Sequence, residues 1–307
     1  MARVVVTRAL PGPALGRLVD AGHDVHVRAE PLPPSAAELR ALVAEADALL
    51  CTLEDRVDDT LLAAAPRLRA IAVYAVGTDN VDLAAAARHG VSVGNTPDVL
   101  TDATADLAMA LLLAAARHLP QAEANVREGA WRTWNPTGFL GFELRGARLC
   151  ILGAGRIGRA VGERAAAFGM EVRFVGRGDD LHTALADANV LSLHAPLTGT
   201  TRRIVDAAAL AAMPAGGILV NTARGGLVDQ VAVAGALHSG HLSAAALDVT
   251  DPEPLPADDP LLAAPNLIVL PHIGSATHRA REAMADRAVA NLLAALGGNA
   301  MPWPVSA

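Results

Sequence analysis

The segment covering residues 148–177 constrains the fold of this chain more than any other. A short apolar run at residues 149–152 predicts a buried strand, and the pattern G-x-G-x-x-G follows at once at residues 153–158. A helix is predicted next, with Gly169 placed to end it, and a second strand follows at residues 172–175. This order of strand, glycine pattern, helix and strand is typical of a dinucleotide-binding unit.

The predicted helix carries Ile157, Val161, Ala165 and Phe168 on one face. Its N-terminus would offer backbone N–H groups and a positive dipole end to a pyrophosphate, while the glycines allow close approach. A bare glycine pattern is weak evidence in a chain with 27 glycines, but the flanking elements favour a cofactor site over a glycine-rich turn. The predicted cofactor-binding residues of this turn are Gly153, Gly155, Arg156, Ile157 and Gly158.

The end of the second strand bears on which dinucleotide is bound. NAD sites usually place Asp or Glu about 20 residues beyond the glycines, where it binds the ribose. Here Gly176 occupies that position and Arg177 follows it, so a guanidinium is available to pair with a 2′-phosphate. The sequence therefore favours NADP(H), with NAD(H) possible. The competing interpretation is a solvated Arg177, which the neighbouring Asp179 and Asp180 support.

Composition excludes several classes of protein. The net charge of −7 provides no basic field for nucleic acid, and all 25 basic residues are arginine. The longest apolar run, residues 107–116, is about half of what a membrane span needs. Cys51 and Cys150 lie in apolar runs, as expected of small buried side chains in a cytoplasmic protein, and no histidine has metal-ligand spacing.

Strand and helix patterns alternate along residues 1–97 and again beyond residue 148, which predicts parallel sheets covered on both faces. We expect an α/β protein with two Rossmann/flavodoxin-like doubly wound parallel-sheet domains and a cleft between them. Residues 1–97 with a closing helix at 286–296 would form a discontinuous substrate-binding domain (1–97 plus 286–307). Residues 98–285 would form the dinucleotide-binding domain, with a polar loop at 120–141.

Three successive predicted strands end in Arg224, Glu253 and His272. The carboxyl ends of parallel strands meet at one edge of a sheet, where the nicotinamide should lie. Arginine offers a fork for a carboxylate, histidine donates a proton near neutral pH, and glutamate beside it orients the ring. Each of these residues alone could equally have a structural role, but together they predict a reductase of 2-oxo acids. Other residues predicted at this cofactor edge are His194, Pro196, Thr222, Ala223 and Gly274.

Long motifs give the chain a resemblance to the D-2-hydroxyacid dehydrogenase family over essentially its full length. They are VGTDNVD at 76–82, NTP at 95–97, DATAD at 102–106, GAGRIG at 153–158, NTARG at 221–225, LDV at 247–249, DPEP at 251–254 and PHIGSAT at 271–277. Within the family the chain most resembles the glyoxylate/hydroxypyruvate reductases, through GAWRTWNP at 129–136, DVT at 248–250 and HR at 278–279.

The resemblance implies that Arg224 binds substrate, that His272 is the acid/base and that Glu253 is its partner. It implies a substrate carboxylate on the N–H groups of Val76 and Gly77. It also implies phosphate contacts at Thr104, Arg156 and Ile157, and a nicotinamide contact at Asp248. The substrate pocket would be bounded by Leu53 and Trp134, and Trp134 would reach the pocket of a partner subunit in a homodimer. The chain departs from the family in a short connection after Arg177 and in Gly176, where many relatives carry Asp.

Alternatives remain open at this stage. The same chemistry could act on a bulkier 2-oxo acid, or the protein could be a dinucleotide-sensing binding protein of the same fold. Trp131 and Trp134 could equally be local packing rather than a contact surface. Turnover distinguishes either kind of reductase from the sensor, because a sensor binds cofactor but reduces 2-oxo acids poorly.

Overall fold

The computed structural model describes residues 1–306, in two compact units. One unit is Met1–Leu100 together with the chain from Ala276 onward, and the other is Thr101–Ser275. The expected domain boundary at residue 286 falls inside a helix that runs over His278–Leu296. This helix starts earlier than the sequence predicts because the Thr277 side chain accepts the Ala280 N–H and caps it.

The first unit alternates short strands and helices. Its elements are β1 Arg3–Val6, α1 Gly16–Asp20, β2 Asp24–Val27, α2 Ala36–Val43, β3 Ala48–Cys51, α3 Asp59–Ala63, β4 Ala70–Val73, α4 Leu83–Arg88, β5 Ser92–Gly94, α11 His278–Leu296 and β12 Pro304–Val305. The sheet order is β12-β5-β4-β3-β1-β2, parallel apart from β12, which is antiparallel to β5. Strands β3 and β4 are buried along their whole length, as parallel strands covered on both faces must be.

The second unit repeats this architecture. Its elements are α5 Thr101–Ala116, α6 Leu119–Arg127, β6 Arg148–Leu152, α7 Arg156–Ala167, β7 Glu171–Val175, α8 Leu181–Leu185, β8 Val190–Leu193, α9 Ala207–Ala212, β9 Gly217–Asn221, α10 Gln230–His238, β10 Leu242–Leu247 and β11 Leu267–Val269. The sheet order is β11-β10-β9-β8-β6-β7, and every pair is parallel. The predicted class of two doubly wound sheets is confirmed.

The strand order reverses once in each sheet, between β1 and β3 and between β6 and β8. Ligands of doubly wound sheets bind outside the carboxyl ends of the strands at such a point. In the second unit this point lies directly at the Gly153 turn, which follows β6, and at His194, which follows β8.

Local details differ from the sequence predictions. Residues 119–127 form helix α6 rather than a polar loop, starting from His118 in a left-handed conformation with Pro120 in the first turn, and none of its residues is buried. On α7, Val161 and Ala165 are buried as predicted, but Phe168 is 46% exposed because the helix ends before it and it serves as the C-cap. Helices α9 and α10 and strand β12 are not among the elements that the sequence predicts. Along residues 1–306, no helix combines the length and apolarity that crossing a membrane requires.

Candidate functional site

The glycine turn between β6 and α7 is shaped by close packing. Gly153 has φ +105°, and a Cβ there would lie 2.6 Å from the backbone of His194 and Ala195. A Cβ on Gly158 would lie 2.1 Å from the Gly153 carbonyl oxygen. Gly155, by contrast, faces open space with nothing within 4 Å of a Cβ. The first and third glycines therefore bring helix and strands together, while the second leaves room at the helix N-terminus.

That open space fits a dinucleotide pyrophosphate. Helix α7 has 12 residues, and its N-cap is Gly155, which has no side chain to cap the first-turn N–H groups. Such a helix end accepts a phosphate through its N–H groups and dipole. Of the other residues of the turn, Arg156 is exposed and Ile157 is partly buried against the core.

A carboxylate lies at the end of β7, although the residue at that position is Gly176. The Gly176 N–H donates to Asp179 Oδ2 at 2.7 Å. The intervening turn passes through Gly178 at φ +91°, which brings Asp179 back to the strand end. The side chain of Arg177 is exposed beside it. Gly176 therefore has a carboxylate beside it, supplied by Asp179, and the guanidinium of Arg177 belongs to the same turn.

His194 at the end of β8 is not an acid at neutral pH. Its Nε2 lies 2.8 Å from Ser192 Oγ, and burial lowers the pKa of His194 to about 4. The ring is therefore neutral in the physiological range. Pro196 is exposed, and its carbonyl oxygen accepts the Thr201 hydroxyl at 2.7 Å.

The loop after β9 holds Arg224 in a defined conformation. The buried Asn221 amide donates to the Arg224 carbonyl oxygen at 2.8 Å and accepts the Ala223 N–H at 3.0 Å. The Arg224 guanidinium donates to the Ala223 carbonyl oxygen at 2.8 Å and is partly buried. The Thr222 hydroxyl is buried and has no hydrogen-bond partner within residues 1–306. An unsatisfied hydroxyl at this strand end is free to bind a ligand.

Glu253 and His272 form the most specific contact of the site. His272 Nδ1 lies 2.7 Å from Glu253 Oε1, and the two side chains are 22% exposed for the histidine and 29% for the glutamate. Strands β9, β10 and β11 are neighbours in the sheet, so Arg224, Glu253 and His272 come from three adjacent strand ends, as predicted. Because the Glu253 carboxylate contacts Nδ1, the other ring nitrogen, Nε2, can face a substrate.

Asp248 supports this histidine through the backbone. It is fully buried, and its two oxygens accept the N–H groups of Ile273 at 2.7 Å and Gly274 at 2.8 Å. Its carbonyl oxygen accepts the His272 N–H at 2.9 Å. These three bonds hold His272 at φ +53°, a conformation that costs about 1–3 kcal/mol in a residue other than glycine. Burial raises the pKa of Asp248, which the two N–H donors partly oppose.

Thr104 and Gly274 lie together in this region. A Cβ on Gly274 would be 3.1 Å from Asp248 Oδ2 and 3.3 Å from Thr104 Cγ2, so this position has little room for a side chain. The predicted residues Thr104, Asp248 and Gly274, which are far apart in sequence, are therefore neighbours in the second unit.

Gln230 contacts the candidate site but is not among the residues that the sequence predicts. Its side chain donates to the Asp251 carbonyl oxygen at 3.0 Å and accepts the Asp251 N–H at 2.7 Å. These bonds clamp the loop that carries Glu253. Gln230 is the first residue of helix α10 and belongs to no sequence motif, so its contact with Asp251 could not be predicted from the sequence.

Gly225 joins the two loops that carry Arg224 and Glu253. A Cβ at Gly225 would lie 2.0 Å from the Thr250 carbonyl carbon, which is backbone and cannot move aside alone. We expect Gly225→Ala to lower the free energy of unfolding by about 3 kcal/mol and to displace Arg224, because overpacking at backbone forces the loops apart.

The matched control is Gly235→Ala in the middle of helix α10, where a Cβ meets nothing within 4 Å. Alanine there should stabilise the protein by about 1 kcal/mol. Thermal unfolding of both variants checks the pair. Equal melting temperatures for Gly225→Ala and the parent protein would contradict the close approach.

In the first unit, the predicted substrate residues follow β3 and β4. Leu53 is partly buried and packs against the core of this unit. Val76 and Gly77 are also partly buried, and the Val76 carbonyl oxygen accepts the Asn95 amide at 2.6 Å. The two loops are tied together by Asn80, whose amide donates to the carbonyl oxygens of Thr52 and Asp55 at 3.0 and 2.9 Å, respectively.

Trp131 and Trp134 lie in an exposed segment of the second unit, 66% and 79% accessible. In the single chain, Trp134 therefore has little packing of its own. Within residues 1–306, no group of three or more His, Cys, Asp or Glu side chains is arranged to hold a metal ion.

These features define a dinucleotide-dependent oxidoreductase, and comparison with known proteins supports that class. The model of the D-isomer specific 2-hydroxyacid dehydrogenase NAD-binding domain matches residues 109–274. The glyoxylate reductase of Thermococcus litoralis is 41% identical over 317 residues, covering 98% of this chain and 95% of that protein.

Two solved structures are also similar. The TT0316 protein of Thermus thermophilus superposes with a TM-score of 0.94 at 50% identity, covering 99% of each chain. The NADPH-dependent glyoxylate/hydroxypyruvate reductase of Sinorhizobium meliloti, in complex with NADP and malonate, superposes with a TM-score of 0.84 at 32% identity, covering 99% of this chain and 96% of that one.

The chain belongs to the D-isomer specific 2-hydroxyacid dehydrogenase family. It is an enzyme that uses a nicotinamide dinucleotide and a small 2-oxo or 2-hydroxy acid.

Proposed function

We propose that this enzyme reduces glyoxylate or hydroxypyruvate to the corresponding 2-hydroxy acid with NAD(P)H. The observation that carries the proposal is the 2.7 Å contact between His272 Nδ1 and Glu253 Oε1 in the same unit as the dinucleotide turn. The names of the relatives from Thermococcus litoralis and Sinorhizobium meliloti support the choice of substrates.

A nicotinamide dinucleotide held at the turn through Gly153, Gly155 and Gly158 would supply the hydride that reduces the substrate carbonyl. His272 donates a proton from Nε2 to the carbonyl oxygen, so that the oxygen becomes a hydroxyl rather than an alkoxide. Glu253 accepts a hydrogen bond from Nδ1, which fixes the orientation of the ring. The fork of Arg224 holds the substrate carboxylate, which places the carbonyl for both transfers.

Further roles follow for the other predicted residues. Gly153, Gly155, Arg156, Ile157 and Gly158 would hold the pyrophosphate, with Thr104 beside it. His194, Pro196, Thr222, Ala223, Asp248 and Gly274 would line the nicotinamide side. In the first unit, the N–H groups of Val76 and Gly77 would bind the substrate carboxylate, and Leu53 and Trp134 would limit the size of the acid.

NADPH is the proposed preferred cofactor, because the exposed guanidinium of Arg177 follows the end of β7. A guanidinium binds a 2′-phosphate through charge-assisted hydrogen bonds that a ribose hydroxyl cannot match. NADH use remains compatible with the carboxylate of Asp179 on the same turn.

A homodimer is the proposed assembly. Helix α6 has no buried residue, and the segment that follows exposes between 49% and 79% of the surfaces of Trp131, Trp134, Phe139 and Leu140. Several large exposed apolar side chains in one segment favour an interface between chains. Sedimentation equilibrium should give twice the chain mass of 31.4 kDa, and a monomer at micromolar concentration would rule out this assembly.

The function is tested by following nicotinamide absorbance with glyoxylate, hydroxypyruvate, pyruvate and phenylpyruvate, each with NADPH and with NADH. We expect the highest kcat/KM for glyoxylate or hydroxypyruvate with NADPH. Preference for phenylpyruvate would indicate a bulkier substrate, and tight cofactor binding without turnover of any acid would indicate a dinucleotide sensor. Either result would overturn the proposal.

A further inference from the structure

The turn after β7 brings the side chain of Asp179 back to the end of the strand, three residues before its own position in the sequence. Gly176 N–H donates to Asp179 Oδ2 at 2.7 Å, and Asp179 N–H returns a longer bond to the Gly176 carbonyl oxygen at 3.4 Å. Gly178 has φ +91°, a conformation that glycine adopts without strain. The carboxylate of Asp179 is thereby held against the last backbone N–H of the strand end.

This strand end is the ribose position of a dinucleotide-binding unit. The second strand of such a unit carries, at its carboxyl end, the Asp or Glu that binds the ribose 2′-hydroxyl. Here that position is Gly176, which has no side chain, and a Cβ added to it would lie 3.7 Å from Asp179 Oδ2. Asp179 thus brings a carboxylate oxygen close to the point from which the usual side chain would extend.

We propose that Asp179 is the residue that lets this enzyme bind NADH, and that it acts against the preference for NADPH exerted by Arg177. The inference rests on the proposed function only in its use of a nicotinamide dinucleotide. The Asp179 carboxylate accepts a hydroxyl of the adenosine ribose and repels a 2′-phosphate, which carries close to two negative charges. Cofactor choice is then set by two opposed charges on one short turn.

The geometry selects Asp179 rather than its neighbour. Asp180 caps helix α8, with Oδ1 accepting the His182 N–H at 3.0 Å and Oδ2 accepting the Thr183 hydroxyl at 2.5 Å. The hydrogen bond from Thr183 is the main cause of a lowered pKa of Asp180. Asp179 uses only Oδ2, and its Oδ1 has no hydrogen-bond partner in residues 1–306. Both oxygens of Asp180 therefore bind the first turn of α8, whereas Asp179 has one oxygen that can bind a ligand.

The variant Asp179→Asn separates charge from turn geometry. An asparagine oxygen can still accept the Gly176 N–H, so the turn is retained while the negative charge is lost. Dissociation constants of NADH and NADPH are measured by quenching of protein fluorescence, and those of AMP and adenosine 2′,5′-bisphosphate by calorimetry. We expect NADH binding to weaken, NADPH binding to tighten, and the ratio of the two constants to shift by about tenfold or more towards NADPH. The two adenosine nucleotides should shift in the same direction.

Asp180→Asn is the matched control, because it removes the same charge one residue away and asparagine still caps a helix. It should change the ratio by less than about twofold. Arg177→Ala should act in the opposite sense and weaken NADPH while leaving NADH binding close to that of the parent. An unchanged ratio in Asp179→Asn, or an equal shift in Asp180→Asn, would overturn the assignment.

A second variant, Asp179→Glu, distinguishes an effect of the lost charge from an effect of a distorted turn. Asp179→Glu keeps the negative charge, so it should still reject the 2′-phosphate even if its longer side chain no longer accepts the Gly176 N–H. A shift towards NADPH in Asp179→Glu equal to that in Asp179→Asn would mean that geometry, not charge, sets the preference. These readouts need no substrate, so an enzyme that reduces none of the acids would refute the proposed function and leave this inference to be judged on binding alone.

Discussion

Replacement of His272 by alanine is expected to lower kcat by about three orders of magnitude while leaving the dissociation constant of NADPH within about twofold of the parent value. The histidine is the proposed proton donor, and Glu253 at 2.7 Å from its Nδ1 orients it. Loss of the ring removes the acid but not the glycine turn that binds the dinucleotide. A selective loss of kcat is therefore the signature of a proton-transfer group rather than of a binding residue.

His278→Ala provides the control for this experiment. His278 is the exposed first residue of α11, so this variant also loses an imidazole from the same stretch of sequence. We expect its kcat to stay within about twofold of the parent. Stopped-flow reduction of glyoxylate and fluorescence titration with NADPH measure the two quantities. A His272→Ala enzyme that keeps more than about a tenth of the parent kcat would exclude the histidine as the acid.

Arg224→Leu is expected to lower kcat/KM for the 2-oxo acid by about a thousandfold. Two charge-assisted hydrogen bonds to a carboxylate, at about 1.5–3 kcal/mol each, are lost together. The loop itself should persist, because Asn221 holds it through the backbone of Ala223 and Arg224 rather than through the guanidinium. Most of the loss should therefore appear as a raised KM for the acid, with cofactor binding little changed.

Two further variants sharpen this result. Arg224→Lys keeps the positive charge without the fork, so it should recover only part of the activity lost in Arg224→Leu. Arg173→Leu is the control, since its guanidinium is half exposed and pairs with Asp187, which precedes β8. An exposed pair of this kind contributes little, and its loss should leave kcat/KM within about twofold. An Arg224→Leu enzyme with the parent KM would show that the carboxylate binds elsewhere.

Sequence periodicity is sufficient for the elements that are buried on both faces. The strand at β6, the turn through Gly153 and the buried residues Val161 and Ala165 of α7 follow from a run of apolar side chains and the spacing of glycines. Periodicity fails at exposed elements: α6 has no buried residue, so its sequence has no apolar stripe to distinguish it from a loop. The prediction for Phe168 is wrong because a side chain at a helix end turns towards solvent.

The candidate site divides in the same way. The residue types and their place after successive strands predict Arg224, Glu253 and His272 as reacting groups, because the ends of parallel strands lie at one edge of a sheet. The order of residues does not reveal that Gln230 binds the loop that carries Glu253. It also does not reveal that the Thr250 backbone occupies the space where a Cβ of Gly225 would lie. Those contacts join segments that are 21 and 25 residues apart, and only packing in three dimensions determines them.

The sequence by itself determined two doubly wound sheets and a glycine turn, and it predicted the three proposed reacting groups, since each depends on local periodicity or on the order of strands. Only the tertiary structure decided how these groups are held: Asp248 bound to the backbone of Ile273 and Gly274, and Asp179 folded back onto Gly176. The physical reason is that a hydrogen bond depends on distance and angle between atoms, and a positive φ at Gly178 or His272 reverses the chain in a way that residue spacing does not reveal.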